Sequence, residues 1–348
     1  MFPYWFLFTI PSLAAVIPVR TSRSLALLGW FTVGVIYTTL IGLRFEVGGD
    51  WGSYIRHYRL TYGRPFWDSL ETNDPGYAAL NWLSGQFDGG VQFVNVVSGA
   101  ILMTGVVAFA RRQPLDWLAL VIAVPYLITV VAMGYTRQSI ALGFELLALN
   151  AIAQKQNFRF VVLILLGALF HKTAVVLLPL AALASAKGRI WTTIWVGITT
   201  FVALQLLLSE SSDQLWTNYV EKQMQSQGAL VRVAMNVLPA TLFLVFRRRF
   251  VLSRTEQNLW TWISVISLLC LVLVSAASTA VDRIALYLIP IQMFALSRFP
   301  LVFPDPQMRV VMTMGVVVYS AAVLFVWLNF AAHAQYWLPY RLSLFPIP

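Results

Sequence analysis

Lys155 to Arg189 reads KQNFRFVVLILLGALFHKTAVVLLPLAALASAKGR, an apolar run with Lys155 and Arg159 at one end and Lys187 and Arg189 at the other. Basic residues in short loops are held on the cytoplasmic side of a membrane, so the two ends call for an even number of crossings. One long helix would cross once. Two short spans, 159–171 and 173–186, satisfy the rule if they meet near His171. Each is shorter than the roughly 20 residues of a full crossing, which puts His171, Lys172 and Thr173 below the outer surface. Interrupted backbone at that depth is tolerated where protein or water covers it, so the tip is expected to lie in a cavity.

Outward from this hairpin, the chain has the composition of a membrane protein. Of its 348 residues 59% are hydrophobic and 11% charged, against about 25% charged in soluble domains. The expected fold is all-α and polytopic: one transmembrane domain over 1–348, with about twelve helices. Apolar runs place them at 3–18, 25–43, 91–110, 115–132, 136–153, 159–171, 173–186, 190–208, 229–246, 258–277, 283–297 and 308–330. The net charge of +10 has a topological origin: the inner loops hold fourteen basic residues against three acids, and the outer side holds ten of each. That distribution gives no reason to invoke nucleic acid, and it puts both termini outside. No basic residue precedes the first apolar run and Arg20 and Arg23 follow it, so that run reads as a retained anchor. A single cysteine, Cys270, makes no intramolecular disulfide and reports nothing about compartment.

The longest polar interval is the 44–90 loop, which topology makes extracytoplasmic. Arg44 to Tyr77, RFEVGGDWGSYIRHYRLTYGRPFWDSLETNDPGY, holds four arginines, five acids, a histidine and eight aromatics. Asp74-Pro75-Gly76-Tyr77 reads as a turn opening a short helix through Gln86, with proline at an early helical position. Further outer elements are expected at 133–136, 209–228, 278–282 and from Ala331 onward.

Four arginines mark the outer ends of spans: Arg44, Arg137, Arg232 and Arg283. A guanidinium in the bilayer costs about 2.5–3.5 kcal/mol, so each is expected to face a partner or a wet cavity, snorkelling being the plainer alternative. With Lys172 they form a set suited to an anion, and the planar fork fits phosphate bidentately. Asp50, in Gly48-Gly49-Asp50, precedes Tyr54 and Tyr58 at helical spacing. A loop carboxylate beside aromatics suits a sugar; the alternative is an Asp that caps a helix with tyrosines packed beneath it. His171 titrates near neutrality and can accept a proton, with Lys172 favouring the neutral imidazole. Glu145, eight residues below Arg137, reads as a structural partner in the bundle. No phosphate loop, HExxH motif or Cys/His cluster is present, which leaves hydride-transfer, ATP-driven and zinc readings without a foothold.

In order along the chain, Arg44, Gly49-Asp50 with Tyr54, Asp74-Pro75-Gly76-Tyr77, Arg137-Gln138, His171-Lys172-Thr173-Ala174, Gly228 to Arg232 and Asp282-Arg283 resemble the pattern of the EpsG family, among the Wzy-type polymerases of bacterial exopolysaccharide and O-antigen assembly. Asp74 stands where that family usually has Glu, and Thr173 where Ser is common. The resemblance implies a GT-C-like bundle with an outward-facing cavity in the bacterial cytoplasmic membrane, its site facing the periplasm or exterior. It implies an inverting, metal-independent glycosyltransferase without cofactor, moving a growing glycan from polyprenyl pyrophosphate onto a lipid-linked repeat unit. His171 and Asp50 would be the catalytic candidates. Arg44, Arg137, Arg232, Arg283, Lys172, Tyr54, Tyr77, Gln138 and Asp282 would bind substrate. Membrane lipid, a chain-length regulator and a flippase are the further partners it brings. An O-antigen ligase shares this donor and differs in acceptor. A flippase for lipid-linked oligosaccharide would also bind pyrophosphate, though transporters usually place their site at the midplane between repeats.

Overall fold

A computed structural model describes residues 1–17, 22–185, 189–208 and 228–343. The expected 209–228 loop, apart from Gly228, and the charged residues Arg20, Lys187, Glu210, Asp213, Glu221 and Lys222 lie outside the described residues. The described backbone is helical, with one isolated bridge between Arg44 and Leu342. In chain order the helices are α1 (Phe2–Val16), α2 (Arg23–Gly42), α3 (Trp51–Thr61), α4 (Phe66–Leu70), α5 (Pro75–Gly85), α6 (Gly90–Ala110), α7 (Asp116–Ala123), α8 (Thr136–Ala153), α9 (Asn157–Ala168), α10 (Leu180–Ala184), α11 (Arg189–Leu208), α12 (Ala229–Phe246), α13 (Arg254–Leu273), α14 (Ser278–Tyr287), α15 (Pro290–Arg298) and α16 (Pro306–Phe330).

Among the described residues each expected span overlaps helical backbone, but length and apolarity set fewer apart as membrane-crossing. Among the described residues five helices qualify: α2, α6, α12 with its continuation to Arg249, α13 and α16. The number is six if the pair α14 and α15, bent by 52°, counts as one span. The remaining apolar helices have 10–17 residues or, like α8, carry charge within the helix. The helix is interrupted near His171: α9 stops at Ala168, and a tight 3-10 turn, Lys172–Leu177, follows His171.

The chain forms two compact units. The first comprises 1–144, 169–171 and 313–348. Glycines let its helices approach closely, because the bilayer supplies no hydrophobic drive and packing must come from backbone proximity. A Cβ on Gly42 in α2 would stand 2.6 Å from Val96 Cα in α6, and one on Gly143 in α8 would stand 2.8 Å from Leu102 Cα. Helix α7 widens into a π-helix over Val124–Ala132, starting where Pro125 has no N–H to donate to the preceding turn. The buried hydroxyls of α1 and α2 find backbone oxygens: Tyr4 donates to Trp337 O at 2.7 Å and Tyr37 to Leu7 O. Within α16 the buried side chains Val316, Ser320, Leu324 and Leu328 recur every four residues, a single stripe that leaves the rest of an apolar helix to lipid.

The second unit comprises 145–168 and 172–312. Helix α13 begins with a capping box, Ser253 Oγ accepting from Glu256 N while the Glu256 carboxylate accepts from Ser253 N. Trp260 stacks on Phe294 at 3.9 Å, joining α13 to α15. The bend between α14 and α15 precedes Pro290, and a buried amide chain braces it. Asn236 Nδ2 donates to Ala285 O and Gln292 Nε2 donates to Asn236 Oδ1, both at 2.7 Å.

Candidate active site

The polar loop of the first unit is built on Arg44. Its guanidinium is fully buried and donates to Ile41 O at 2.5 Å, Val47 O at 3.3 Å, Thr136 Oγ1 at 2.8 Å and Asn95 Oδ1 at 3.2 Å. Protein oxygens thus replace the water that burial removes. Arg44 ties the exit of α2 to α6 and α8, and this geometry gives it a structural part where substrate binding was expected. Position at a span end could not distinguish an arginine aimed at a cavity from one aimed inward.

Beyond Arg44 the chain turns at Gly48, where φ is +105° and a Cβ would strike Met133 O, so glycine is required twice over. The segment after α16 clasps this turn. Gly48 N donates to Tyr336 O at 2.9 Å, Phe45 N to Arg341 O at 3.0 Å, and Ser343 N to Leu43 O at 2.8 Å. Trp337 is buried behind it, donating to Thr129 O at 2.7 Å. Asp50, exposed, then opens α3 without a side-chain cap bond.

Helix α3 is amphipathic. Trp51, Tyr54 and Tyr58 face a core shared with Tyr77, Leu80, Val91, Val94 and Ile140, while Arg56 and Arg59 are exposed. Tyr54 Oη accepts from Thr136 N at 2.9 Å and lies 3.3 Å from Gly134 O, so it caps the start of α8. Burial, with the Asp50 charge second, raises its pKa, and burial likewise raises that of Tyr77. Tyr54 and Tyr77 were both expected among the substrate-binding residues, and the Tyr54–Tyr58 spacing suited either a sugar platform or tyrosines packed beneath the helix. The packed arrangement is what forms: all three rings lie in this core.

The functional geometry gathers around a residue outside the expected list, Asp74. It precedes Pro75 at the start of α5, and this helix docks its first turn on the interrupted hairpin: Gly76 N donates to Leu169 O at 2.8 Å, and a Cβ on Gly76 would come 3.0 Å from that oxygen. Docking there carries Asp74 to His171. Asp74 Oδ2 lies 3.2 Å from Arg137 Nη1 and 3.8 Å from His171 Nδ1, with its side chain 4% exposed. Arg137 also donates to Asn73 Oδ1 at 2.7 Å, and Asp74 N donates to the same oxygen at 2.8 Å. Asn73 Nδ2 lies 2.8 Å from His57 Nδ1 on α3. Burial, with Arg137 and Arg56 beside it, lowers the His57 pKa against the smaller opposing pull of Asp74.

His171 is buried and Arg137 is about one-third exposed, at 34% of its side chain. The site therefore offers an accessible guanidinium edge anchored by a buried carboxylate that also faces an imidazole. Chemically, this can hold an anion, accept a proton, and stabilise the imidazolium formed. Gln138 is buried on the next position of α8.

In the second unit Arg232 Nε and Asp282 Oδ1 pair at 2.6 Å, each side chain about a tenth exposed. Arg283 is exposed on α14, and Lys172 opens the 3-10 turn whose Thr173 Oγ1 lies 3.2 Å from Tyr287 Oη. Two expected substrate residues, Arg232 and Asp282, are thus partners of each other.

Asn73 and His57 are residues that sequence reasoning passed over. Asp74 was read as part of a turn and of the motif resembling the family, without a place among the site residues. The available signal was the adjacent pair Asn73-Asp74 just ahead of a proline-initiated helix in the most polar loop.

The family model that matches the chain is described as the EpsG family and covers residues 27–342. No curated protein and no solved structure matches.

Proposed function

The chain belongs to the EpsG family, a Wzy-type polymerase family, and on that premise we propose that it is an outer-leaflet polysaccharide polymerase. It transfers a growing glycan from polyprenyl pyrophosphate onto the terminal sugar of a lipid-linked repeat unit. The acceptor hydroxyl oxygen forms a bond to the anomeric carbon, the bond from that carbon to pyrophosphate breaks, and the hydroxyl proton passes to a base. Attack opposite the leaving group inverts the anomeric centre.

The observation that carries this reading is the Asp74 carboxylate between Arg137 and His171. Arg137, held on one edge by Asn73 and Asp74, turns its remaining donors to the departing pyrophosphate and stabilises charge as it develops, without need of a metal. His171 takes the acceptor proton, and Asp74 stabilises the resulting imidazolium. The 3.8 Å separation is an open-site distance that tightens with substrate, as catalytic contacts commonly do. Asp50 is the competing base, exposed on the same unit. In the second unit Arg283 and Lys172 are cations suited to anionic groups, and Arg232 with Asp282 holds α12 against α14.

Purified protein incubated with a lipid-linked repeat unit tests the reading. A glycan ladder is expected, and Asp74→Asn should lower its rate on the order of 10²-fold while donor binding persists. Transfer to lipid A in place of a lipid-linked repeat would make the protein a ligase, and movement of the lipid without bond formation would make it a flippase.

A further inference from the structure

Asn73 Oδ1 is occupied twice, by Arg137 Nη1 at 2.7 Å and by Asp74 N at 2.8 Å. Both partners are donors, so the amide orientation is fixed and Nδ2 is the atom that faces His57 Nδ1 at 2.8 Å. An amide nitrogen only donates. His57 Nδ1 must therefore be the acceptor, which makes this imidazole neutral with its proton on Nε2. The five side chains His57, Asn73, Arg137, Asp74 and His171 form a continuous line within one unit.

We infer that His57 is a positioning residue for the transfer reaction, holding Arg137 in register through Asn73, and that protonation of His57 releases Arg137, adding a second loss of activity at acid pH to that from protonation of the base. The inference rests on the reading of Arg137, Asp74 and His171 as the reacting cluster. A proton on Nδ1 would place two donors face to face at 2.8 Å. Asn73 would then turn away, Arg137 would keep only its contact to Asp74, and its free edge would swing. Misplacing such a group by about 1 Å can cost roughly 100-fold in rate.

The groups that face His57 are Arg56 on its own helix, Arg137 from α8 and Asp74 from the start of α5, with the Tyr77 ring edge-on at 6.1 Å. Two cations and burial oppose protonation while one carboxylate favours it. The transition accordingly lies below the ordinary histidine value, and activity is lost as pH falls through it.

Two kinds of measurement test this. The chain has three histidines, so imidazole nitrogen NMR in detergent gives a short, assignable set of signals. His57 is expected as the Nε2–H tautomer, titrating below its ordinary value. Asn73→Asp replaces the facing donor with an anion and should raise the His57 pKa above that value. A proton on Nδ1, or a titration unmoved by Asn73→Asp, would overturn the inference. In the ladder assay His57→Asn retains an acceptor at the Nδ1 position but cannot titrate. Its rate on the alkaline side of neutrality should stay close to wild type while the acid limb, with one ionisation fewer, becomes shallower. His57→Leu, without an acceptor, should be slow at every pH by up to roughly 100-fold. An acid limb in His57→Asn that superimposes on the wild-type limb would also overturn it. If wild-type protein makes no ladder while the NMR results hold, the polymerase reading fails and the His57–Asn73–Arg137 linkage stands.

Discussion

At the scale of single residues, the same side-chain type does opposite jobs depending on who receives its donors. Arg44 gives its guanidinium to protein oxygens and is fully buried, whereas Arg137 keeps part of its fork open beside Asp74. Replacing Arg44 with alanine would remove the donor to Ile41 O and Val47 O and leave Thr136 and Asn95 only their 3.3 Å bond to each other, at about 1–3 kcal/mol for each buried group left unmade. Arg44→Ala should therefore lower the melting temperature in detergent and the yield of folded protein. Folded wild-type stability in that variant would remove the structural assignment. Arg137→Lys should leave melting nearly unchanged and reduce ladder formation by about tenfold or more, since an ammonium cannot bond Asn73, Asp74 and a phosphate with one planar fork. Full activity of Arg137→Lys in the purified assay would mean that only its charge matters.

Elements place these residues by a few close contacts. The site loop is held from the far end of the sequence: Trp337 lies behind Gly134, where a Cβ would stand 2.6 Å from the indole, and Gly48 N bonds Tyr336 O. Trp337→Ala should cost about 3–5 kcal/mol and loosen the Gly48-Gly49-Asp50 turn, detected as faster protease cleavage in 44–50 than elsewhere in the chain. Uniform cleavage would show that the tail only fills space. Gly76→Val should push α5 off Leu169 and separate Asp74 from His171, removing turnover while the chain still folds. Much of this was legible beforehand. Charge parity located the break at His171, and proline position located the start of α5. The partners were not legible, because Arg137 stands 63 and 64 positions from Asp74 and Asn73, and periodicity on one helix says nothing about what it meets. Hence the spacing of Tyr54 and Tyr58 fitted a sugar platform and packed tyrosines equally, and the structure has them in the core.

For the whole molecule, the family and the apolar helices establish a membrane-embedded Wzy-type chain, while its orientation is an expectation drawn from the basic loops. A cysteine introduced at exposed Trp67 should react with an impermeant thiol reagent in intact cells, and one at exposed Arg248 should react only after permeabilisation. The reverse pattern would invert the topology. The central claim is that Asp74, Arg137 and His171 perform glycosyl transfer from a lipid pyrophosphate. Its most direct test pairs donor affinity with turnover on purified His171→Ala. The account predicts unchanged binding of the polyprenyl-pyrophosphate donor and a lost glycan ladder, because only proton transfer in the transition state is removed. A His171→Ala protein that still builds the ladder at the wild-type rate would contradict it.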